Sequence, residues 1–96
     1  MSVAMPDLVE ETDVDHLVEP DTPWKTILWN DDVNTVGYVV LTLQKILKKD
    51  KETCEKYMLE AHTNGRTAVF SGSKEEAQDI ATQLGAATLW ATVEKE

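Results

Sequence analysis

The chain has 96 residues, about half the length at which a second domain becomes the expectation. Its 18 acidic and 9 basic residues leave a net charge of −9, a surface that repels a phosphate backbone, so nucleic acid is not an expected partner. No apolar run approaches the ~18–20 residues of a membrane span. A single cysteine, Cys54, rules out an intramolecular disulfide, and the start lacks the basic and apolar stretches of a secretory signal; a soluble protein of a reducing cytoplasm is expected, with no membrane contact.

The acid is concentrated at the start: Asp7, Glu10, Glu11, Asp13, Asp15, Glu19 and Asp21 all precede the first basic residue, Lys25. Apolar residues there (Val9, Val14, Leu17, Val18) keep neither a helical nor a strand period, and Pro6, Pro20 and Pro23 interrupt them. Residues 1–22 are expected to be a disordered acidic extension and residues 23–96 a single folded domain. Such an extension is either a solvating appendage or a flexible arm. A folded part of this size buries only ~60% of its unfolded surface and has little room for a deep catalytic cavity.

Trp24-Lys25-Thr26-Ile27-Leu28-Trp29-Asn30 is β-branched, aromatic and apolar between Pro23 and a polar loop, which predicts a strand. Asn34 or Thr35 can cap a helix over about 35–48, in which Val36, Val39, Val40, Leu43, Ile46 and Leu47 recur at intervals of three and four. Asp50 suits the N-cap of a second helix over 51–63, with Cys54, Tyr57, Met58, Ala61 and His62 along one stripe and Gly65 as its C-terminal cap. Arg66-Thr67-Ala68-Val69-Phe70-Ser71 reads as a strand. Ser73 with Glu76 forms a capping box for a third helix through Leu84, closed by Gly85, and Thr88-Leu89-Trp90-Ala91-Thr92-Val93 alternates as a final strand. The order β-α-α-β-α-β predicts an α+β domain, a two-layer sandwich with helices packed on a small, mostly antiparallel three-stranded sheet.

Two features carry candidate chemistry. His62 sits at the edge of an apolar helical stripe, either as a satisfied structural residue or as a ligand-facing one. Asn30-Asp31-Asp32-Val33-Asn34 places several side-chain acceptors between a strand and a helix, as a turn with an N-cap or as a site. If the two converge, carboxylate, amide and neutral imidazole together suit an ammonium group, and apolar residues from both helices would line a hole beside it. A free N-terminus with a hydrophobic first side chain fits that description. Metal binding or acid–base catalysis by Asp31, Asp32 and His62 is disfavoured, for there is no second nearby ligand pair at i, i+4 spacing. No glycine-rich phosphate loop or nucleophile with an evident base is present either. Neither an enzyme nor a cofactor is expected.

The blocks Trp24-Lys25-Thr26-Ile27-Leu28-Trp29-Asn30-Asp31-Asp32 and Tyr38-Val39-Val40-Leu41-Thr42-Leu43-Gln44-Lys45-Ile46-Leu47 resemble the ClpS family of adaptor proteins. So do Tyr57-Met58-Leu59-Glu60-Ala61-His62, Asn64-Gly65-Arg66 and the ending Leu89-Trp90-Ala91-Thr92-Val93-Glu94-Lys95. In order, they cover nearly all of 24–95. The resemblance implies an adaptor that holds proteins by an N-terminal Leu, Phe, Tyr or Trp and delivers them to the N-terminal domain of a Clp AAA+ unfoldase, ClpA or ClpC. By matched position, Asn30, Asp31 and His62 surround the substrate's α-amino group, and Asp32 completes the loop. Ile27, Leu28, Asn34, Val36, Val39, Met58, Ala61 and Leu89 shape the hydrophobic pocket, and Glu75 meets the unfoldase. The acidic extension would then be the arm used during delivery. The chain departs from the pattern at Val36, where many members carry methionine, at Ala61, where valine is common, and at Ile80, where a lysine meets the unfoldase. The first two imply a roomier pocket with tolerance for Ile or Val. A protein-interaction domain of similar architecture, such as the C-terminal domain of a ribosomal stalk protein, is the alternative; it would use exposed helix faces and no N-terminus pocket.

Overall fold

A computed structural model describes residues 22–96; apart from Thr22, the acidic extension expected over 1–22 lies outside the described residues. The elements follow as β1 (Trp24–Trp29), α1 (Val36–Leu47), α2 (Lys51–Asn64), β2 (Arg66–Gly72), α3 (Lys74–Ala86) and β3 (Ala91–Lys95). β1 is the middle strand of a three-stranded sheet of order β2-β1-β3, antiparallel to both neighbours. Its central place explains its composition. A strand covered on both faces need not alternate, and Thr26, Ile27 and Leu28 are all buried in succession.

The edge strand β2 does alternate, with Thr67 and Val69 buried and Ala68 exposed. Its pairing with β1 slips between Thr26 and Ile27, which leaves Val69 opposite no residue of β1. This bulge kinks the edge strand. Leu28 and Val69 join Val39, Val40, Leu43, Cys54, Ala61, Leu84 and Leu89 in one core shared by the sheet and all three helices. Thr26, on the same side of β1 as Leu28, donates from Oγ1 to the Ala77 carbonyl at 2.8 Å and so fastens the sheet to α3.

Helix starts follow local chemistry closely. Thr35, Asp50 and Ser73 each accept from a backbone N–H of the first turn, and Ser73 with Glu76 completes the capping box. Gly65 closes α2 in the left-handed region at φ 92°, where a side chain would be strained.

Two boundaries differ from expectation. α3 runs through Gly85 to Ala86, and the last strand begins at Ala91, not Thr88. Between them Leu89 N–H donates to the Leu84 carbonyl and Thr88 N–H to the Gly85 carbonyl, both at 2.9 Å. This is the Schellman pattern, with the left-handed position occupied by Thr88 (φ 70°) and the accompanying apolar contact made by Leu89 and Leu84 in the core. The apolar look of 88–90 therefore reports a helix stop whose Leu89 turns inward.

Candidate functional site

Three segments distant in sequence meet at one end of the sheet: the loop after β1, the last turn of α2, and the α3–β3 connection. Asn30 N–H donates to the Gly65 carbonyl at 2.9 Å, which fixes the start of the loop to the end of α2. At the other end of the loop, Asn34 Nδ2 donates to the Thr88 carbonyl at 2.9 Å, and the Tyr38 hydroxyl to the Ala87 carbonyl at 2.7 Å. Between these ties lies a hollow of about 400 Å³, open mouth included, lined by Leu28, Trp29, Asn30, Asp31, Asn34, Val36, Val39, Met58, Ala61, His62 and Leu89.

Its polar side is built around Asp31. The carboxylate accepts from Val33 N–H at 2.8 Å (Oδ1) and from Asn34 Nδ2 at 2.6 Å (Oδ2). These donors, Val33 foremost, favour the charged form and hold the Asp31 carboxyl below the usual carboxylate range. Asn30, Asp31 and His62 all border the hollow, and the lining includes no lysine or arginine. His62 lies in the last turn of α2, the negative end of the helix dipole. Anionic, amide and imidazole groups beside an apolar wall make a place for a cation carrying a hydrophobic side chain.

The loop and His62, joined in the sequence only by supposition, thus face one hollow. Of the residues expected there, Leu28, Asn34, Val36, Val39, Met58, Ala61 and Leu89 line it as well. Two others stand apart. Ile27 is 1% exposed and pairs with Thr92, on the face of β1 opposite Leu28, so strand alternation carries it away from the hollow. Asp32 is exposed and accepts from Asn30 Nδ2 at 3.4 Å, but does not border the space. Glu75 lies in the exposed first turn of α3, beside a shallow concavity with Lys74, Gln78, Asp79 and Thr82. Trp29 borders the hollow and was not anticipated; its position directly before Asn30 was the available signal. Among the described residues no three His, Cys, Asp or Glu side chains gather as a metal site would require, and no helix there is long and apolar enough to cross a membrane.

The family model described as ATP-dependent Clp protease adaptor protein ClpS matches residues 19–92. The chain belongs to the ClpS family. Curated ClpS relatives span almost its whole length. The ATP-dependent Clp protease adapter protein ClpS of Nocardia farcinica is 37% identical over 93 residues, 97% of this chain and 86% of that protein. Its counterpart in Corynebacterium aurimucosum is 36% identical over 93 residues, 97% of this chain and 84% of that protein. The fold also matches the structure of Agrobacterium tumefaciens ClpS2 bound to L-phenylalaninamide, with a TM-score of 0.74 over 78% of this chain and 98% of that one, at 23% identity. The chain is therefore an adaptor of the Clp protease system by family, with the ClpS fold of three helices on a three-stranded antiparallel sheet.

Proposed function

We propose that the hollow receives the N-terminal residue of a substrate protein and that the adaptor delivers this substrate to a Clp AAA+ unfoldase, ClpA or ClpC, for degradation. The observation that carries the reading is the meeting of Asn30, Asp31 and His62 with an apolar wall in one hollow. The α-ammonium group lies against Asn30, Asp31 and His62, with Asp32 adding negative charge from outside the rim. The first side chain rests on Leu28, Val36, Val39, Met58, Ala61 and Leu89, while Asn34 holds Asp31 in place. Ile27 backs the strand that presents Leu28. The family relative ClpS2 supports the reading, because L-phenylalaninamide offers a free amine and one aromatic side chain.

The magnitudes suit capture followed by release. Burying a Leu or Phe side chain contributes about 1.5–3 kcal/mol and each hydrogen bond to a charged group about 1.5–3 kcal/mol. One side chain and two or three such bonds, less ordering costs, match the ~8 kcal/mol of a micromolar complex. Glu75, exposed on α3, is assigned to the unfoldase contact; it is not among the residues that line the hollow.

The test is fluorescence anisotropy with peptides differing only at the first residue. Micromolar binding of Leu and Phe peptides, lost with Ala and with acetylated Phe, is expected. Equal binding of all of them would remove this function and leave the fold.

A further inference from the structure

On the outer face of the sheet an aromatic platform adjoins the hollow. Trp29 and Trp90 stack with ring centroids 5.1 Å apart and planes 22° from parallel. The Arg66 guanidinium lies 5.0 Å from the Trp29 ring centroid and is ion-paired with Glu94. Trp29 Nε1 donates to Thr92 Oγ1 at 2.8 Å. The inner ring is thereby fixed by three neighbours, whereas the outer one, Trp90, is 57% exposed. A large aromatic surface held rigid yet open to water is a ready contact for another flat group.

The platform adjoins the hollow through Trp29 and through Leu89, the neighbour of Trp90. Trp29 is the last residue of β1, Arg66 the first of β2, and Trp90 directly precedes β3. An extended chain advances about 3.3–3.6 Å per residue. The second and third residues of an anchored peptide therefore come within reach of a ring stacked directly on a residue of the hollow's rim.

We propose, resting on the reading of the hollow as an N-terminus pocket, that the second or third side chain of the bound substrate stacks on Trp90, so that the adaptor selects flat π-faced groups there, aromatic or arginine. Arginine is admitted because the indole face attracts a guanidinium and because Asp31 lines the hollow with the exposed Asp32 beside it, while the cation over Trp29, Arg66, is already paired with Glu94. Acidic side chains are disfavoured by the same carboxylates.

The experiment uses the full chain and labelled peptides that begin Leu-Ala-Ala, with Phe, Arg or Asp replacing one Ala at position two or three. Phe and Arg peptides are expected to bind about two- to tenfold more tightly than the Ala peptide, and Asp peptides more weakly. In Trp90→Ala the Phe and Arg advantage falls to less than twofold. Trp90→Leu keeps an apolar cover on Trp29 without the π-face, and it should lose the same advantage. In the unsubstituted chain the Trp90 indole N–H resonance should shift further with the Phe peptide than with the Ala peptide. An equal advantage in the variants, or none in the unsubstituted chain together with an unmoved indole resonance, overturns the platform while a retained need for Leu at position one leaves the pocket standing. Binding indifferent to the first residue overturns both.

Discussion

Asn34 holds Asp31 in place: its side-chain amide donates to the Asp31 carboxylate at 2.6 Å and, through the same nitrogen, to the Thr88 carbonyl at 2.9 Å. One side chain thus sets the anion of the hollow and ties the loop after β1 to the α3–β3 connection. Asn34→Ala frees the carboxylate to turn toward water, and a lost hydrogen bond to a charged group is worth about 1–2 kcal/mol at a partly exposed site. Affinity for a Leu peptide should fall about tenfold, and Asn34→Asp should do more harm by setting two carboxylates together. Anisotropy checks this; an unchanged Kd for Asn34→Ala contradicts the holding role.

Val36 sits at the hollow with 58% of its surface exposed. A longer side chain there would narrow the space beside the Cβ of the bound residue. An Ile peptide should bind the unsubstituted chain within about tenfold of a Leu peptide, since a methylene's difference in a pocket is worth about 1–3 kcal/mol. Val36→Met should widen the gap without weakening Leu itself by more than a few-fold. Competition titrations measure the ratio, and a thousandfold preference for Leu in the unsubstituted chain would sink the idea.

The pH profile follows from two groups. Val33 N–H and the Asn34 amide depress the Asp31 carboxyl, so its contribution to stability is complete above the unfolded carboxyl value of about 3.9 and is lost only as the pH drops through its lower folded value. Asp31 therefore stays charged throughout binding assays. A peptide α-amino group loses its charge above about pH 8, so affinity for a Leu peptide should decline above about pH 9. Anisotropy across a pH series checks this; affinity unchanged up to about pH 10 would contradict recognition of a charged ammonium group by Asp31.

Thr88 is a β-branched residue in the left-handed region, at φ 70°, which costs roughly 1–2 kcal/mol for a residue with a Cβ. Thr88→Gly should relieve it and raise stability by about 1 kcal/mol after the entropy lost by glycine. The bond from Asn34 Nδ2 survives, because it is made to the Thr88 carbonyl, while the longer one from the Thr88 hydroxyl to Asn34 Oδ1, at 3.4 Å, is lost. Chemical denaturation reports the change; a lower midpoint at equal slope would refute it.

Cys54 is fully buried in the core between the sheet and the helices, and burial pushes its thiol up from the ordinary range. It should react with a thiol reagent only as the domain unfolds. Reaction should follow the unfolded fraction across a urea titration, and rapid labelling in the absence of denaturant would show a more open core.

Local chemistry is written one turn at a time, and those parts were legible. The caps at Thr35, Asp50 and Ser73 and the glycine stop at Gly65 each involve partners within four residues, which is why the helices could be placed from the chain alone. The candidate site was legible as residue types but not as a place. Asp31 and His62 are 31 positions apart, and it is the pairing of β1 with β2, extended by the Asn30–Gly65 hydrogen bond, that brings the loop to the end of α2. The end of α3 was misjudged because Gly85 looks like a stop, whereas the turn is closed by Thr88, held left-handed so that Leu89 reaches the core.

What the sequence determined by itself was the set of elements, their order and their buried stripes, since propensity, capping and periodicity depend on near neighbours. What only the tertiary structure decided was which face each strand residue serves. It set Leu28 toward the hollow and Ile27 away from it, and made Trp29 a rim residue. A central strand is apolar on both sides, so its sequence carries no alternation by which to tell the two faces apart.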